Sequence, residues 1–232
     1  MNSTPRLLEV IVTSLEDARQ AHAGGADRLE IVRDLDVGGL TPPLSLVKDI
    51  VASVATPARV MVRENGGFTI QGNEELDRLR RAMADFATLP IDGVVLGFLD
   101  NGRVDLRTTG RILSEAPAVR ATFHRAFEET KAPFEDLAAL ENLGQIDRIL
   151  TCGGPGDWSE KALKLEALRQ ACNRITILAG GGMTLEGVRH LREHTSLSEF
   201  HVGAAVRIPA TLSGAVSAKQ VARFRAESGM DR

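Results

Sequence analysis

Residues 7–32 read LLEVIVTSLEDARQAHAGGADRLEIV, and this stretch decides the predicted fold. Two short apolar runs, at 7–12 and 28–32, flank a stretch with the polar and apolar spacing of a helix. Ser14 is a favoured N-cap residue, and Gly24 ends the helical pattern. Short runs rich in branched apolar residues are typical of parallel strands that are buried on both faces. The stretch therefore predicts one strand–helix–strand unit.

The same alternation of strands and helices continues along the 232-residue chain. The predicted strands are residues 7–12, 28–32, 58–63, 93–99, 119–124, 148–152, 174–180 and 199–205. Helical patterns separate them, including one capped by Asn73, and a last helix follows the eighth strand. This order predicts an α/β fold, a single-domain (β/α)8 TIM barrel over residues 1–232. The alternative is an open doubly wound sheet, but GxGxxG is missing after the first strand, so no nucleotide cofactor is expected.

Composition and charge exclude several classes of function. The net charge is −3 and there is no basic run, which argues against a nucleic-acid partner. No apolar run approaches the ~18–20 residues that a membrane-spanning helix needs, and residues 1–12 lack a signal-peptide pattern. The two cysteines, Cys152 and Cys172, lie far apart in the sequence, which fits a reducing compartment. The sequence therefore predicts a cytoplasmic protein.

Five polar residues on five predicted strands are expected to point into the barrel. Side chains alternate along a strand, and this alternation places Glu9, Glu30, Arg63, His124 and His201 on inward faces. A barrel interior is normally filled by branched apolar side chains. One interpretation is structural: Glu9 or Glu30 faces a helix and caps it, or forms a buried ion pair with Arg63. The convergence of five polar residues favours the other interpretation, a catalytic or ligand-binding site.

The catalytic interpretation gives each residue a role. Glu9 or Glu30 is the general base, and His124 is the acid or a metal ligand. Arg63 binds a carboxylate or enolate oxygen. Such a set suits proton abstraction next to a carbonyl group, as in isomerases, epimerases and lyases. No lysine lies in a predicted strand, which argues against a Schiff-base aldolase.

Glycine-rich turns after the last two predicted strands suggest an anion site. Residues 177–184 read ILAGGGMT, with Gly180, Gly181 and Gly182 before a helix, and Gly203 follows the eighth strand. In many barrels these loops bind phosphate through backbone N–H groups and a helix N-terminus. A tight turn without a ligand is the alternative. Arg207 either adds charge to this site or lies on the surface.

Residues 122–129, TFHRAFEE, place Arg125 directly after His124 at the end of the fifth strand. Alternation turns Arg125 away from the barrel axis or over the mouth. It either contacts an anionic ligand or binds a loop carboxylate, Glu128 or Glu129.

Seven segments carry a family resemblance in one consistent order. They are LEVIVTSLEDARQAHAGGADRLEIV, GGLTP, MVRENGGF, TFHRAFEE, RILTCGG, ILAGGGM and EFHVGAAVR. They are similar to the CutC family, and the match runs from about residue 7 to 207. The resemblance implies a cytosolic TIM barrel, a homo-oligomer, and a role in copper homeostasis.

The sequence departs from the family where copper ligands have been proposed. CutC proteins often carry cysteines at the positions of Ile11 and Val32, and Cu(I) prefers such soft ligands. Asn65 replaces a common arginine, and Glu128 replaces an aspartate. The family residues Glu9, Glu30, Arg63, His124 and Arg125 are retained.

Two functions therefore follow from the sequence. The resemblance implies copper homeostasis through metal binding at the barrel mouth, with copper or another divalent metal bound by Glu9, Glu30, His124 and His201. The residues alone favour the alternative, an acid–base isomerase, epimerase or lyase that acts on a small phosphorylated or carboxylated metabolite. The expected ligand is thus a small anion or a metal ion.

Overall fold

The computed structural model describes residues 6–229, in which eight parallel strands close into a barrel. The strands are β1 Leu7–Val12, β2 Arg28–Ile31, β3 Ala58–Met61, β4 Gly93–Leu96, β5 Arg120–Phe123, β6 Ile146–Thr151, β7 Thr176–Ala179 and β8 Glu199–Val202. Each strand pairs with its sequence neighbours, and β8 pairs with β1. The predicted TIM barrel is confirmed. The predicted domain also includes residues 1–5 and 230–232, which lie outside the described part.

Helices follow the strands and cover the outside of the barrel. They are α1 Leu15–Ala23, α2 Leu44–Ser53, α3 Asn73–Phe86, α4 Leu106–Leu113, α5 Pro133–Leu140, α6 Trp158–Ala171, α7 Leu185–His194 and α8 Ala218–Glu227. Outward side chains of the strands, such as Val10, Ile31 and Val60, are fully buried in the layer between barrel and helices. Within residues 6–229, no helix has both the length and the apolar character needed to span a membrane.

The local sequence predicts most element boundaries, with two corrections. Ser14 caps α1 as predicted, and its hydroxyl accepts a hydrogen bond from the Asp17 N–H. The N-cap of α3 is Gly72, so the predicted Asn73 cap is wrong by one residue. The predicted strand 93–99 ends earlier, at Leu96. Its last residue, Leu99, instead pairs with Val104 in a short hairpin, and the Leu99 N–H donates to the Phe68 carbonyl of another loop.

Paired charges fill the amino-terminal end of the barrel. Arg59, which is 1% exposed, donates hydrogen bonds to Asp92 at 2.8 Å and to both oxygens of Asp147 at 2.7 and 2.8 Å. Arg148 donates to both oxygens of Glu199 at 2.6 and 2.9 Å. Buried charges need such partners, because removing an ion from water costs several kcal/mol. The loops at the opposite, carboxyl-terminal end therefore form the mouth of the barrel.

Candidate functional site

Strand register places Glu9 between a cation and an imidazole inside the barrel. Glu9 on β1 is the register partner of Arg28 on β2 and of His201 on β8. Its Oε2 accepts a hydrogen bond from Arg28 Nε at 2.5 Å, and its Oε1 lies 2.7 Å from His201 Nδ1. All three residues are at most 4% exposed. Both oxygens of this carboxylate are therefore engaged by the protein.

A second carboxylate faces the other nitrogen of the same imidazole. Glu30 on β2 is 3% exposed, and its Oε2 lies 3.8 Å from His201 Nε2. Because side chains alternate along a strand, Glu30 and Arg28 share the inward face of β2. We call Glu9, Arg28, Glu30 and His201 the central cluster.

The two carboxylates of the central cluster differ in proton affinity. Burial raises the pKa of Glu9, but the Arg28 charge and the His201 hydrogen bond outweigh it and hold that pKa well below its usual range. Burial raises the pKa of Glu30 to about 7, with the Glu9 charge adding to the rise. Burial alone lowers the pKa of His201, but Glu30 and Glu9 raise it above its usual value. Glu30 is therefore the carboxyl group of the cluster that exchanges a proton near neutral pH.

Arg63 lies at the mouth and holds two loops together. Its guanidinium donates to the carbonyls of Gly38 at 3.2 Å and Gly66 at 2.5 Å, which belong to the loops after β2 and β3. The ring of Phe68 lies 4.7 Å from the Arg63 Cζ. The predicted ion pair between Arg63 and Glu9 or Glu30 is wrong, because Arg28 takes the place beside Glu9.

His124 lies at the carboxyl end of β5 and is 3% exposed. Its Nδ1 accepts a hydrogen bond from the Ala126 N–H at 3.1 Å, which starts the short 3-10 helix Arg125–Glu129. Its ring centroid lies 5.3 Å from that of Phe68. Burial and the Arg63 charge lower the His124 pKa to about 3, so the imidazole is neutral at physiological pH.

The five predicted inward residues thus form two groups. Glu9, Glu30 and His201 come together in the central cluster. Arg63 and His124, which we call the mouth pair, are joined through Phe68. The catalytic roles assigned to these residues remain predictions.

The predicted anion site is a tight turn with room for backbone contacts. Gly181 and Gly182 have φ of +93° and +77°, which side-chain-bearing residues rarely adopt. A Cβ on Gly180 would lie 2.8 Å from His201 Cβ, and one on Gly203 would lie 3.0 Å from Ile11 Cδ1. Gly180 and Gly203 thus allow close packing inside the barrel. Anion binding at this turn remains a prediction.

Two arginines near the mouth have protein partners. Arg125 donates to Glu128 Oε2 at 2.7 Å, as one predicted alternative has it, and a Cβ on Gly181 would lie 2.9 Å from Arg125 Nε. Its side chain is 52% exposed and lies over the glycine turn. Arg207 is 3% exposed and pairs with Asp17, so the predicted surface position is wrong, and a contribution of its charge to the anion site stays a prediction.

The predicted metal ligands do not fit a metal ion in this arrangement. In the described part of the chain, no three His, Cys, Asp or Glu side chains form a group that could hold one. Both oxygens of Glu9 and the Nδ1 of His124 already have protein partners, and the positive charge of Arg28 lies beside Glu9. Ile11 packs against the apolar cluster of Val32, Leu35, Met61 and Val95. The metal role of Glu9, Glu30, His124 and His201 remains a prediction.

Sequence reasoning missed Arg28 and Arg59, which lie with Arg148 among the charged residues inside the barrel. The alternation of side chains along a strand predicts their position. Arg28 lies two residues before Glu30, and Arg59 four residues before Arg63, so each shares the inward face of its strand.

Comparisons with known proteins agree with the fold and with the sequence pattern. Residues 6–206 match the CutC family. A family protein CutC of Mesorhizobium japonicum is 35% identical over 209 residues, which are 89% of this chain and 80% of that protein. The copper homeostasis protein cutC homolog of Homo sapiens is 32% identical over 200 residues, which are 85% of this chain and 73% of that protein.

A solved structure gives the same result. The crystal structure of the putative copper homeostasis protein CutC from Streptococcus agalactiae superposes with a TM-score of 0.77 at 26% identity. The superposition covers 84% of this chain and 97% of that one. With its barrel, its two polar groups and these relatives, the chain belongs to the CutC family.

Proposed function

We propose that this protein is an acid–base enzyme that moves a proton next to a carbonyl group of a small carboxylated or phosphorylated metabolite. The observation that carries the proposal is Glu30, a buried carboxyl group beside His201 whose pKa is raised to about 7. A base whose pKa lies near the working pH both accepts and returns a proton efficiently. Return of the proton gives an isomerase or epimerase, and loss of a neighbouring group gives a lyase.

The rest of the site supports this role. Glu9 is ionised and hydrogen-bonded to His201, so it orients the imidazole that faces Glu30. The ligand enters from the mouth, where Arg63 fixes two loops. The turn at 180–182, with Arg125 over it, is the place for an anionic group of the ligand.

A hydrogen exchange experiment tests the proposal. The protein is incubated in D2O with a panel of 2-oxo acids, aldose phosphates and ketose phosphates, and proton NMR follows deuterium uptake beside the carbonyl. Wild type is expected to label at least one compound, and Glu30→Gln to slow the labelling by ~100-fold or more. Glu193→Gln is the matched control, because Glu193 is exposed on α7. No labelling by wild type, or equal labelling by Glu30→Gln, rejects the proposal.

Metal binding at the mouth is the second candidate, and it bears on copper homeostasis. It is favoured by family membership alone, because the described His, Cys, Asp and Glu side chains form no group that could hold a metal ion. Copper titration of protein purified without a metal-binding tag tests it. Tight stoichiometric binding that is lost in His124→Ala and Glu30→Gln supports this candidate. Micromolar or weaker binding that both substitutions leave unchanged rejects it.

The proposal also covers location, oligomeric state and partners: the protein is a cytoplasmic homo-oligomer without a nucleic-acid or membrane partner. Ile208 is 60% exposed and Leu212 is 46% exposed, both in the loop between β8 and α8. Covering these apolar side chains favours association of copies. Light scattering coupled to size-exclusion chromatography gives the oligomeric state, and Ile208→Asp with Leu212→Asp is expected to shift it towards the monomer.

A further inference from the structure

The backbone fixes the tautomer of His124. The Ala126 N–H is a donor at every pH, and it points at His124 Nδ1 from 3.1 Å. Nδ1 must therefore accept and carry no proton, which leaves the single proton of the neutral ring on Nε2. Protonation of Nδ1 would set two donors against each other. The ring is held in place by the His124 N–H, which donates to the Leu96 carbonyl of β4 at 2.8 Å.

The Nε2–H has no acceptor. Within residues 6–229, His124 Nε2 is buried and has no hydrogen-bond partner. Buried polar atoms nearly always have one, so a donor without a partner needs an explanation. The residues around the ring do not supply an acceptor: Arg63 is a cation, and Phe68 is an aromatic ring at 5.3 Å between centroids.

The sequence also keeps this ring position free. A Cβ on Gly97 would lie 2.6 Å from His124 Nδ1, so only glycine leaves room for the ring at that point. The imidazole is thus placed by three neighbours, namely Leu96, Gly97 and Ala126, and none of them uses Nε2. The donor is oriented in advance of any partner.

We propose that His124 is a neutral Nε2–H donor to a carboxylate or enolate oxygen of the bound ligand. The inference rests on the proposed function and deepens it, because it replaces the predicted acid or metal-ligand role with that of a polarising donor. Glu30 takes the proton from the carbon, the electron pair of that C–H bond moves towards the carbonyl oxygen, and this oxygen accepts from Nε2–H. The proton returns from Glu30 to carbon, and His124 keeps its own proton throughout.

The first test needs no ligand. Nitrogen-15 NMR of imidazole-labelled protein is expected to show His124 neutral, with its proton on Nε2, from pH 5 to 8. The resonance is assigned by its loss in His124→Gln. A proton on Nδ1, or titration within that range, overturns the inference.

The second test uses oxalate, a planar dianion that resembles the enolate of a 2-oxo acid. Oxalate is expected to bind wild type and to move the Nε2–H proton resonance downfield. His124→Gln keeps an N–H donor and is expected to bind within about fivefold of wild type. His124→Phe removes the donor and is expected to weaken binding by ~10- to 100-fold, the range for a hydrogen bond to a charged group. His194→Gln, at an exposed histidine of α7, is the matched control.

The outcomes separate this inference from the proposed function. If oxalate does not bind wild type, or binds without moving the Nε2–H resonance, the donor faces the Phe68 ring and the inference is wrong. In that case Phe68→Leu shifts the resonance without oxalate.

If His124→Phe folds by circular dichroism and labels substrates in D2O like wild type, the inference fails while the proposed function stands. If His124 governs oxalate binding but no compound is labelled, the proposed function fails alone.

Discussion

His201 and Glu9 are joined by a hydrogen bond of 2.7 Å between Nδ1 and Oε1 in the centre of the barrel. Glu9 contacts both His201 and Arg28 closely, whereas Glu30 lies 3.8 Å from His201 and has its pKa raised further by the Glu9 charge. The same imidazole therefore faces one ionised carboxylate and one carboxyl group that titrates near neutral pH. When the environment separates the pKa values of two neighbouring carboxyl groups in this way, one stays ionised and the other can act as an acid or a base.

The first prediction concerns Glu30 and the free energy of unfolding. Because the folded pKa of about 7 lies above the ordinary value of 4.5, the folded state holds this proton more tightly than the unfolded state. The resulting stability is present in full below pH 4.5 and is lost as pH rises to 7, by up to about 3 kcal/mol. Glu30→Gln is expected to lack this loss, as urea unfolding at pH 4.5, 5.5, 6.5 and 7.5 would show. Glu193→Gln should show the same dependence of the unfolding free energy on pH as wild type. The prediction is contradicted if Glu30→Gln shows that dependence too.

The second prediction concerns His124 and has the opposite sign. The pKa of His124 is about 3 in the folded state and 6.5 ordinarily. Between these pH values the unfolded state binds a proton and the folded state does not. The contribution of His124 to stability therefore falls as pH drops below 6.5, by about 1.4 kcal/mol per pH unit in the limit. His124→Gln is expected to remove this loss, so its stability relative to wild type rises towards acid pH. The same urea series measures it, and the idea fails if the two proteins lose stability in parallel.

The third prediction concerns the Arg28–Glu9 ion pair. Arg28→Met leaves a buried carboxylate without its cation, which is expected to cost about 3–5 kcal/mol of unfolding free energy at pH 7. The double variant Glu9→Gln with Arg28→Met should recover part of the loss, because neither member is then left unpaired. Arg78→Met, at an exposed pair with Glu64, should lose much less. A recovery of zero in the double variant would show that Arg28 acts through its other neighbours.

The sequence was sufficient for the barrel and for the inward faces. Alternation correctly placed Glu9, Glu30 and His201 inside, because a buried strand has one register relative to its core. The alternation of side chains indicates which face of the strand a residue lies on. It does not indicate how far along the barrel axis that residue lies. The pattern therefore pairs Arg63 with Glu9 or Glu30, whereas Arg63 lies at the mouth and binds loop carbonyls instead.

The contacts of loops could not be predicted in the same way. The predicted fourth strand extended to Leu99 because its residues are apolar, yet this residue turns towards Phe68 of the loop after β3. The lone Nε2–H of His124 depends on the Ala126 N–H, a backbone contact made by a 3-10 turn. Such turns follow from tertiary packing, and the side-chain pattern of TFHRAFEE does not encode them.

The fourth prediction tests the glycine that packs against the central cluster. A Cβ on Gly180 would lie 2.6 Å from Leu150 Cδ1 and 2.8 Å from His201 Cβ. Gly180→Ala is therefore expected to cost ~1–3 kcal/mol through overpacking and to disturb the His201 ring. Gly144→Ala is the matched control, since a Cβ there meets nothing within 4 Å. Urea unfolding measures the loss of unfolding free energy. Proton NMR of the His201 ring shows whether its position changes. Equal stability of the two variants would mean that β7 shifts easily.

The last prediction concerns Arg63 as the residue that joins the two loops of the mouth. Its planar guanidinium donates at once to the Gly38 and Gly66 carbonyls, a geometry that a lysine ammonium does not reproduce. Arg63→Lys keeps the charge, so it is expected to raise amide hydrogen exchange in residues 34–41 and 62–72 by about tenfold or more. Exchange in the barrel strands should stay as in wild type, because their hydrogen bonds do not involve Arg63.

The control and the contradicting result for Arg63 are both specific. Arg78→Lys changes an exposed arginine of α3 near the same loop and should leave exchange unchanged in both segments. If Arg63→Lys also leaves both segments protected, the loops are held by their own turns, such as the Asn65 Oδ1 contact with the Gly67 N–H at 2.7 Å. If only residues 62–72 lose protection, the bond to Gly38 contributes nothing and Arg63 organises one loop alone. Loss in both segments confirms that Arg63 holds the two loops of the mouth together.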